Sequence, residues 1–316
     1  MRTSQNKIKV VNTEQLYFEQ IAAKERIDSI KKSKLFNGDC FDIMNAMEEL
    51  SVHSIVTDPP YGVKEYEDEQ LAKRKDRIGG IWRLPPAFDN ANRAPLPRFT
   101  ALSEKEMKIF EQFFIKWGKL ALKVLMPGGH VFIATNSVMA AHLYTALMSS
   151  GLEFRGQIIR LVRTFRGGDR PKNAETEFDS VCSLPRGCFE PWGIFRKPLP
   201  NKMTVSDCLR QFQTGGLQRI SSEKPFEDVI HSERTSTLEK KIADHPSLKP
   251  QSFMRKIVHA SLPLNVGTIL DPFMGAGSTI AAAENLGFNS IGIEKDLLYF
   301  KIALQAILPL SQIKTG

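Results

Sequence analysis

Apolar and polar residues alternate along this chain in blocks that predict short strands handing over to amphipathic helices. Residues 13–33 carry Leu16, Ile21, Ile27 and Ile30 among strong helix formers, an imperfect helical stripe. "SKLFN" then predicts a strand, Gly38-Asp39 a turn, and the next residues a helix with Phe41, Met44 and Met47 on one side. The β-branched run Ile55-Val56-Thr57 ends a second buried strand and leads directly into Asp58-Pro59-Pro60-Tyr61-Gly62. Residues 63–100 are polar over a length unusual for a connection, so they are expected to be disordered or to move with function. Ser103 and Glu106 form a capping box that opens a helix, which Pro127-Gly128-Gly129 is expected to stop. A strand "HVFIATN", a helix over 137–150 and a strand "LEFRGQIIRLVRT" follow.

Regularity lapses over 163–244, which is rich in Gly, Pro and Arg and holds only short strand-like pieces such as "FDSVCSL" and "WGIFRK". Order returns with a helix at "KPQSFMRKIVHASL", a strand at "GTILDPF", a glycine turn, a helix, a strand at "NSIGIEKD" and a closing helix. Strands alternating with helices predict an α/β fold with a doubly wound, mostly parallel sheet. The chain divides at this level into a helical arm (1–34), a first α/β half (35–162), an irregular insertion (163–244) and a second α/β half (245–316).

With 316 residues the chain can bury a full core as one large domain or two. A net charge of +8 favours a polyanionic partner without identifying one. The four cysteines show neither a CxxC pair nor the density of a secreted scaffold, so they read as reduced thiols. No apolar signal core and no run of about 18 uncharged apolar residues is seen, and the expectation is a soluble, cytoplasmic protein.

Two strand ends carry candidate chemistry. "GTILDPFMGAGSTIAAAENLGFNSIGIEKD" reads as strand, Gly275-x-Gly277 turn, helix and second strand ending at Glu294. Glycines let the backbone approach a ligand, the helix N-terminus offers N–H donors, and an acid about 20 residues on suits a ribose diol. The turn lacks the lysine of a phosphate loop, and Ile280 stands where a dinucleotide fingerprint wants a small residue. That combination fits an adenosine bearing an amino-acid tail. Both this turn and the Asp58 segment lie at carboxyl ends of predicted strands, where open α/β sheets bind ligands.

Taken together, the two segments resemble the amino-methylating DNA methyltransferases that use S-adenosylmethionine. Asp58-Pro59-Pro60-Tyr61 matches their catalytic tetrapeptide and Asp271-Pro272-Phe273-Met274-Gly275-Ala276-Gly277 their cofactor turn. The order of the two, with an insertion between, looks like the β-type circular arrangement, and the likeness spans most of 35–305. It implies a sheet of the S-adenosylmethionine-dependent methyltransferase type, with 35–162 the catalytic half, 63–100 a mobile loop, 163–244 the target-recognition region and 245–316 the cofactor half.

The resemblance also implies roles. Asp58 and the carbonyl of Pro59, fixed because Pro60 restricts the residue before it, would accept the protons of an exocyclic amine on an everted base. Tyr61 would stack on that base, worth about 1–3 kcal/mol. Asp39, Asp58, His245, Lys249, Asp271, Phe273, Gly275, Gly277, Ser278, Thr279 and Glu294 would surround the cofactor, with Asp39 at its adenine end and His245 and Lys249 at its methionine carboxylate. No metal is implied. Members of the family commonly dimerise and belong to restriction-modification systems.

Duplex DNA is the expected partner. "FRGQIIRLVRTFRGGDRPK" holds six basic residues against one acid, and Arg163, Arg166, Arg170 and Lys172 are the candidate phosphate contacts. Arg155 and Arg160 could instead be the polar face of a strand. An aspartate opening the tetrapeptide leans toward adenine N6 within the family, while cytosine N4 shares the chemistry. Cytosine C5 methylation needs a nucleophilic Cys, typically after Pro, and the chain has no Pro-Cys. An NAD-binding dehydrogenase would use the glycine turn and Glu294 but leave the tetrapeptide idle, and a non-catalytic DNA-binding module would leave both idle.

Overall fold

A computed structural model describes residues 32–60, 104–162, 168, 170–171, 173–245 and 247–315. The expected arm (up to residue 31), the loop at 63–100, the Ser103 cap, Tyr61, Arg163, Arg166 and Lys172 lie outside the described residues.

Among the described residues, eight strands form one sheet: β1 (Ser33–Asn37), β2 (Val52–Thr57), β3 (Leu125–Ala134), β4 (Glu153–Leu161), β5 (Phe189–Arg196), β6 (Val229–His231), β7 (Thr268–Asp271) and β8 (Asn289–Glu294). Their order is β1-β8-β7-β2-β3-β5-β4-β6. Neighbours are parallel except that β5 runs antiparallel to both β3 and β4. Irregular parts of 163–244 thus flank two strands that enter the sheet. The apolar run Trp192-Gly193-Ile194-Phe195 places β5 between β3 and β4, because a strand buried on both faces has little need of alternation. β1 begins at Ser33, inside the stretch assigned to the arm.

Helices α1 (Cys40–Ala46), α2 (Glu104–Val124), α3 (Ala140–Ser149), α4 (Val205–Phe212), α5 (Thr237–Ile242), α6 (Gln251–Ser261), α7 (Ser278–Leu286) and α8 (Leu297–Ser311) cover the sheet. The period of two sorts each strand between two cores. Ile55, Val131, Ile133, Phe195 and Leu270 pack with Phe114, Trp117 and Leu147 of α2 and α3. Val56, Phe132, Ile194 and Ile269 pack with Phe253, Ile257 and Ala282 of α6 and α7. A third cluster joins α7 to α8 through Ile280, Ala303 and Ile307.

Pro127-Gly128-Gly129, expected to end the helix, lies instead within β3, where the pairing with β2 shifts register between Val52 and Ser54. Helix α2 ends earlier because pairing of Leu125 with Val52 already recruits the chain into the sheet. Among the described residues no helix is long and apolar enough to cross a membrane.

Candidate active site

The central pair β2 and β7 are parallel neighbours, with Ile55 beside Leu270, so their carboxyl ends open on the same edge. Asp58 follows the last residue of β2, and the glycine turn follows β7. One cavity of about 730 Å³ is lined by Asp58, Pro59 and Pro60 on one side and by the 271–276 turn on the other. The two segments chosen from sequence therefore share a pocket.

Beneath it the two strands are tied directly. Thr57 Oγ1 donates to Asp271 Oδ1 at 2.7 Å, and the Phe273 N–H donates to the same oxygen at 3.2 Å. Burial pushes the Asp271 carboxyl up to about 7, against the pull of hydrogen bonds from Thr279, Thr57 and Phe273. Phe273 lines the cavity and leans on Phe113 and Trp117 of α2, with ring centroids 6.3 and 6.1 Å away.

The two glycines of the turn serve different ends. Gly275 has φ +51°, and a Cβ there would stand 3.1 Å from the His245 ring, which lies over the turn. Its N–H donates to Glu294 Oε2 at 2.9 Å, while Asp296 N–H donates to Oε1 at 2.7 Å. Those bonds hold the Glu294 carboxylate at the tip of β8, on the cavity wall. Burial raises its pKa, partly offset by the two amides. Gly277 does not line the cavity. It has φ +83°, and a Cβ would come within 2.5 Å of Ile307, so this glycine is required by the packing of α7 on α8 rather than by ligand approach.

Asp39 caps α1, accepting from Phe41 N–H at 2.8 Å and pairing with Lys295 at 2.9 Å. The Lys295 bond first, then that amide, hold its pKa below the usual carboxylate value. Ser278 and Thr279, at the start of α7, line the cavity. Thr279 is buried against Asp271, and Ser278 Oγ accepts from Lys249 N–H at 3.3 Å. His245 packs edge-on against Tyr299, with centroids 4.4 Å apart, and accepts from Ser247 N–H on Nδ1, which leaves its proton on Nε2. Burial, then the charge of Lys249, lower its pKa to about 4, so it is neutral at physiological pH.

Lys249, expected at a methionine carboxylate, lines the cavity; its ammonium is bonded to Asp58 Oδ2 and lies 3.1 Å from Glu190 Oε1. Burial pulls its pKa down, but the two carboxylates outweigh that and raise it. A buried ammonium is too costly to leave without such partners.

Glu190 was not singled out from sequence. A lone acid in the apolar stretch "FEPWGIF" was the available signal, since buried acids are rarely unpaired. It also pairs with Arg160 Nη1 at 2.8 Å. Arg160 thus belongs to a buried pair, not to an exposed polar face. Phe41, Phe113 and Tyr299 also line the cavity and were missed, because aromatic side chains on helices read as core. Of the four basic candidates for DNA, Arg170 is the one described; it is exposed, and its Nε donates to Asp179 O at 2.7 Å.

A family model described as DNA methylase, N6_N4_Mtase, matches residues 52–305. The type II methyltransferase M.HindIII of Haemophilus influenzae is 24% identical over 295 residues, covering 86% of this chain and 94% of its own. The crystal structure of the M1.HpyAVI–SAM complex aligns with a TM-score of 0.53 at 19% identity, covering 87% of this chain and 99% of the other. The PvuII cytosine-N4-specific DNA methyltransferase aligns with a TM-score of 0.55 at 14% identity, covering 87% and 86%. The last two likenesses speak to the fold.

Proposed function

Because the chain belongs to the DNA methylase family matched across residues 52–305, we propose that it transfers a methyl group from S-adenosylmethionine to the N6 amino group of an adenine everted from duplex DNA. The observation that carries this reading is the single cavity walled by Asp58-Pro59-Pro60 and by the 271–276 turn.

The cavity chemistry fits S-adenosylmethionine. Carboxylates of Glu294 and Asp39 stand on its wall with the apolar faces of Phe41 and Phe273. Glu294 would take the ribose hydroxyls, since each of its oxygens has lone-pair capacity beyond one backbone bond. Asp39 would meet the adenine end, Phe273 would pack against the cofactor, and the neutral His245 would reach the amino-acid tail through Nε2–H. When bound, S-adenosylmethionine supplies an electrophilic methyl on a sulfonium.

A pyrophosphate suits this site poorly. The Gly275 N–H is bonded to Glu294, the Lys249 ammonium to Asp58 and Glu190, and Lys295 to Asp39. Donors already committed to carboxylates do not cradle a dinucleotide, which weighs against the dehydrogenase reading.

The chain's own groups then do positional work. The everted base enters beside Asp58, which accepts one amine proton as the Pro59 carbonyl accepts the other. Those bonds localise the nitrogen lone pair toward the methyl, and alignment supplies much of the remaining acceleration. Tyr61 stacks on the base, and Arg163, Arg166, Arg170 and Lys172 track phosphates. The segment 163–244 carries sequence reading, and two copies of the chain associate as a homodimer.

Cytosine N4 is the second reading, because the matched family model spans both N6 and N4 methylases and the acceptors of Asp58 and Pro59 suit either amine. Transfer of labelled methyl to unmethylated duplex DNA, followed by nucleoside analysis, decides the matter. N6-methyladenine is expected. N4-methylcytosine alone would replace the base assignment, and no incorporation into any DNA would overturn the proposal.

A further inference from the structure

A chain of alternating charges runs from the cavity wall into the interior. Lys249 Nζ is bonded to Asp58 Oδ2 and to Glu190 Oε1, and Glu190 Oε2 accepts from Arg160 Nη1 at 2.8 Å and Trp192 Nε1 at 3.3 Å. Arg160 ends the chain, with Nε 3.0 Å from Ser232 Oγ, Nη2 3.2 Å from the Glu233 carbonyl, and its guanidinium 4.8 Å over the Phe253 ring. All four charged side chains are mostly buried, with exposures of 17%, 9%, 15% and 7% from Asp58 to Arg160. Two cations and two anions cancel, which is how such a cluster survives desolvation.

Glu190 is shared between Lys249 and Arg160, and the ammonium's other carboxylate partner is Asp58 on the cavity wall. We infer that Lys249 is a positioning residue for methyl transfer, holding Asp58 as an ionised, acceptor-only carboxylate, while Glu190 and Arg160 of β5 and β4 anchor the ammonium. This rests on the methyl-transfer reading above and deepens it.

The surroundings of Asp58 explain why such a cation is required. Asp271 from β7 is a second carboxyl beside Asp58, and ionisation of either disfavours that of the other. Glu190 from β5 adds a second anion. Arg160 from β4 acts at longer range through Glu190, and His245 is neutral. Among the described residues, Lys249, from the segment preceding α6, is the cation in direct contact with Asp58. Without it Asp58 takes up a proton at higher pH, and a protonated carboxyl is a poor acceptor for an amine proton.

The test is the pH dependence of single-turnover methyl transfer by the full chain, using labelled S-adenosylmethionine and unmethylated duplex DNA, with cofactor affinity measured in parallel. Lys249→Met is expected to move the acid limb upward by about 1–3 pH units, recovering rate at alkaline pH, because an opposite charge at this range shifts a carboxylate by that amount. Its affinity for S-adenosylmethionine stays within a few-fold of wild type. Glu190→Gln is expected to move the limb the opposite way, since it removes an anion and leaves the ammonium to Asp58. Lys249→Arg keeps the charge and is expected to keep the wild-type limb at a lower rate; this variant decides the matter if Lys249→Met does not fold.

Limbs that coincide in wild type and Lys249→Met, or an upward shift in Lys249→Arg, would overturn the inference. So would a loss of cofactor affinity in Lys249→Met with an unmoved limb, which would return Lys249 to the methionine carboxylate. A wild-type chain that methylates no DNA would remove the parent reading as well.

Discussion

Thr57 Oγ1 donates to Asp271 Oδ1 across 2.7 Å, joining the strand that ends in the Asp58 tetrapeptide to the strand that ends in the glycine turn. Two segments 214 residues apart in sequence are thereby held at a fixed separation beneath one cavity. Replacing Thr57 by Val keeps the shape but removes the donor. The expected loss is about 1–3 kcal/mol, the penalty for a buried polar group left short of a partner. Urea unfolding of Thr57→Val and Thr57→Ser measures it, with Ser close to wild type.

Asp271 also sets a pH dependence. Its folded pKa is raised to about 7 from 3.8, so between those values the folded chain holds a proton that the unfolded chain has released. Its contribution is therefore full below the unfolded value and is lost as pH rises through the folded one. Asp271→Asn abolishes that slope. Wild-type stability relative to the variant should be greater at pH 5 than at pH 8 in denaturant midpoints, and a wild type that gains on the variant as pH rises would contradict the sign.

Asp58→Ala should separate chemistry from cofactor binding. Transfer is expected to fall on the order of 10²–10³-fold, the usual effect of removing one preorganised polar group. Equilibrium binding of S-adenosylmethionine should persist. Full transfer in the variant would refute the role given to Asp58.

For Glu294, held by the Gly275 and Asp296 amides, the expected effect falls on binding instead. Glu294→Ala removes a charged acceptor for two hydroxyls, a loss of about 1.5–3 kcal/mol or roughly 10–100-fold in Kd. Calorimetric titration of the wild type and the variant reads it directly.

Gly277→Ala tests a division of labour inside the turn. The substitution forces a side chain into φ +83° and against Ile307, so thermal stability should drop, with about 1–2 kcal/mol coming from the conformation alone. Cofactor affinity of the folded fraction should hold, because Gly277 does not face the cavity.

The pattern along the chain determined a good deal by itself. Periods of two and near four placed β2, β7, β8, α6 and α7, because those preferences are local. Asp58 and the Gly275 turn stood out because stiff prolines and bare glycines at strand ends carry meaning within a few residues. Glu294 was legible from its spacing after the turn. Tertiary structure alone decided that β5 enters the sheet between β3 and β4, that Gly277 makes room for Ile307, and that Lys249 answers to Asp58 and Glu190. Each of these depends on which distant segments become neighbours, and the pairing energy of a buried charge is set by partners that strand order brings together across 191 residues, not by anything adjacent to it in the chain.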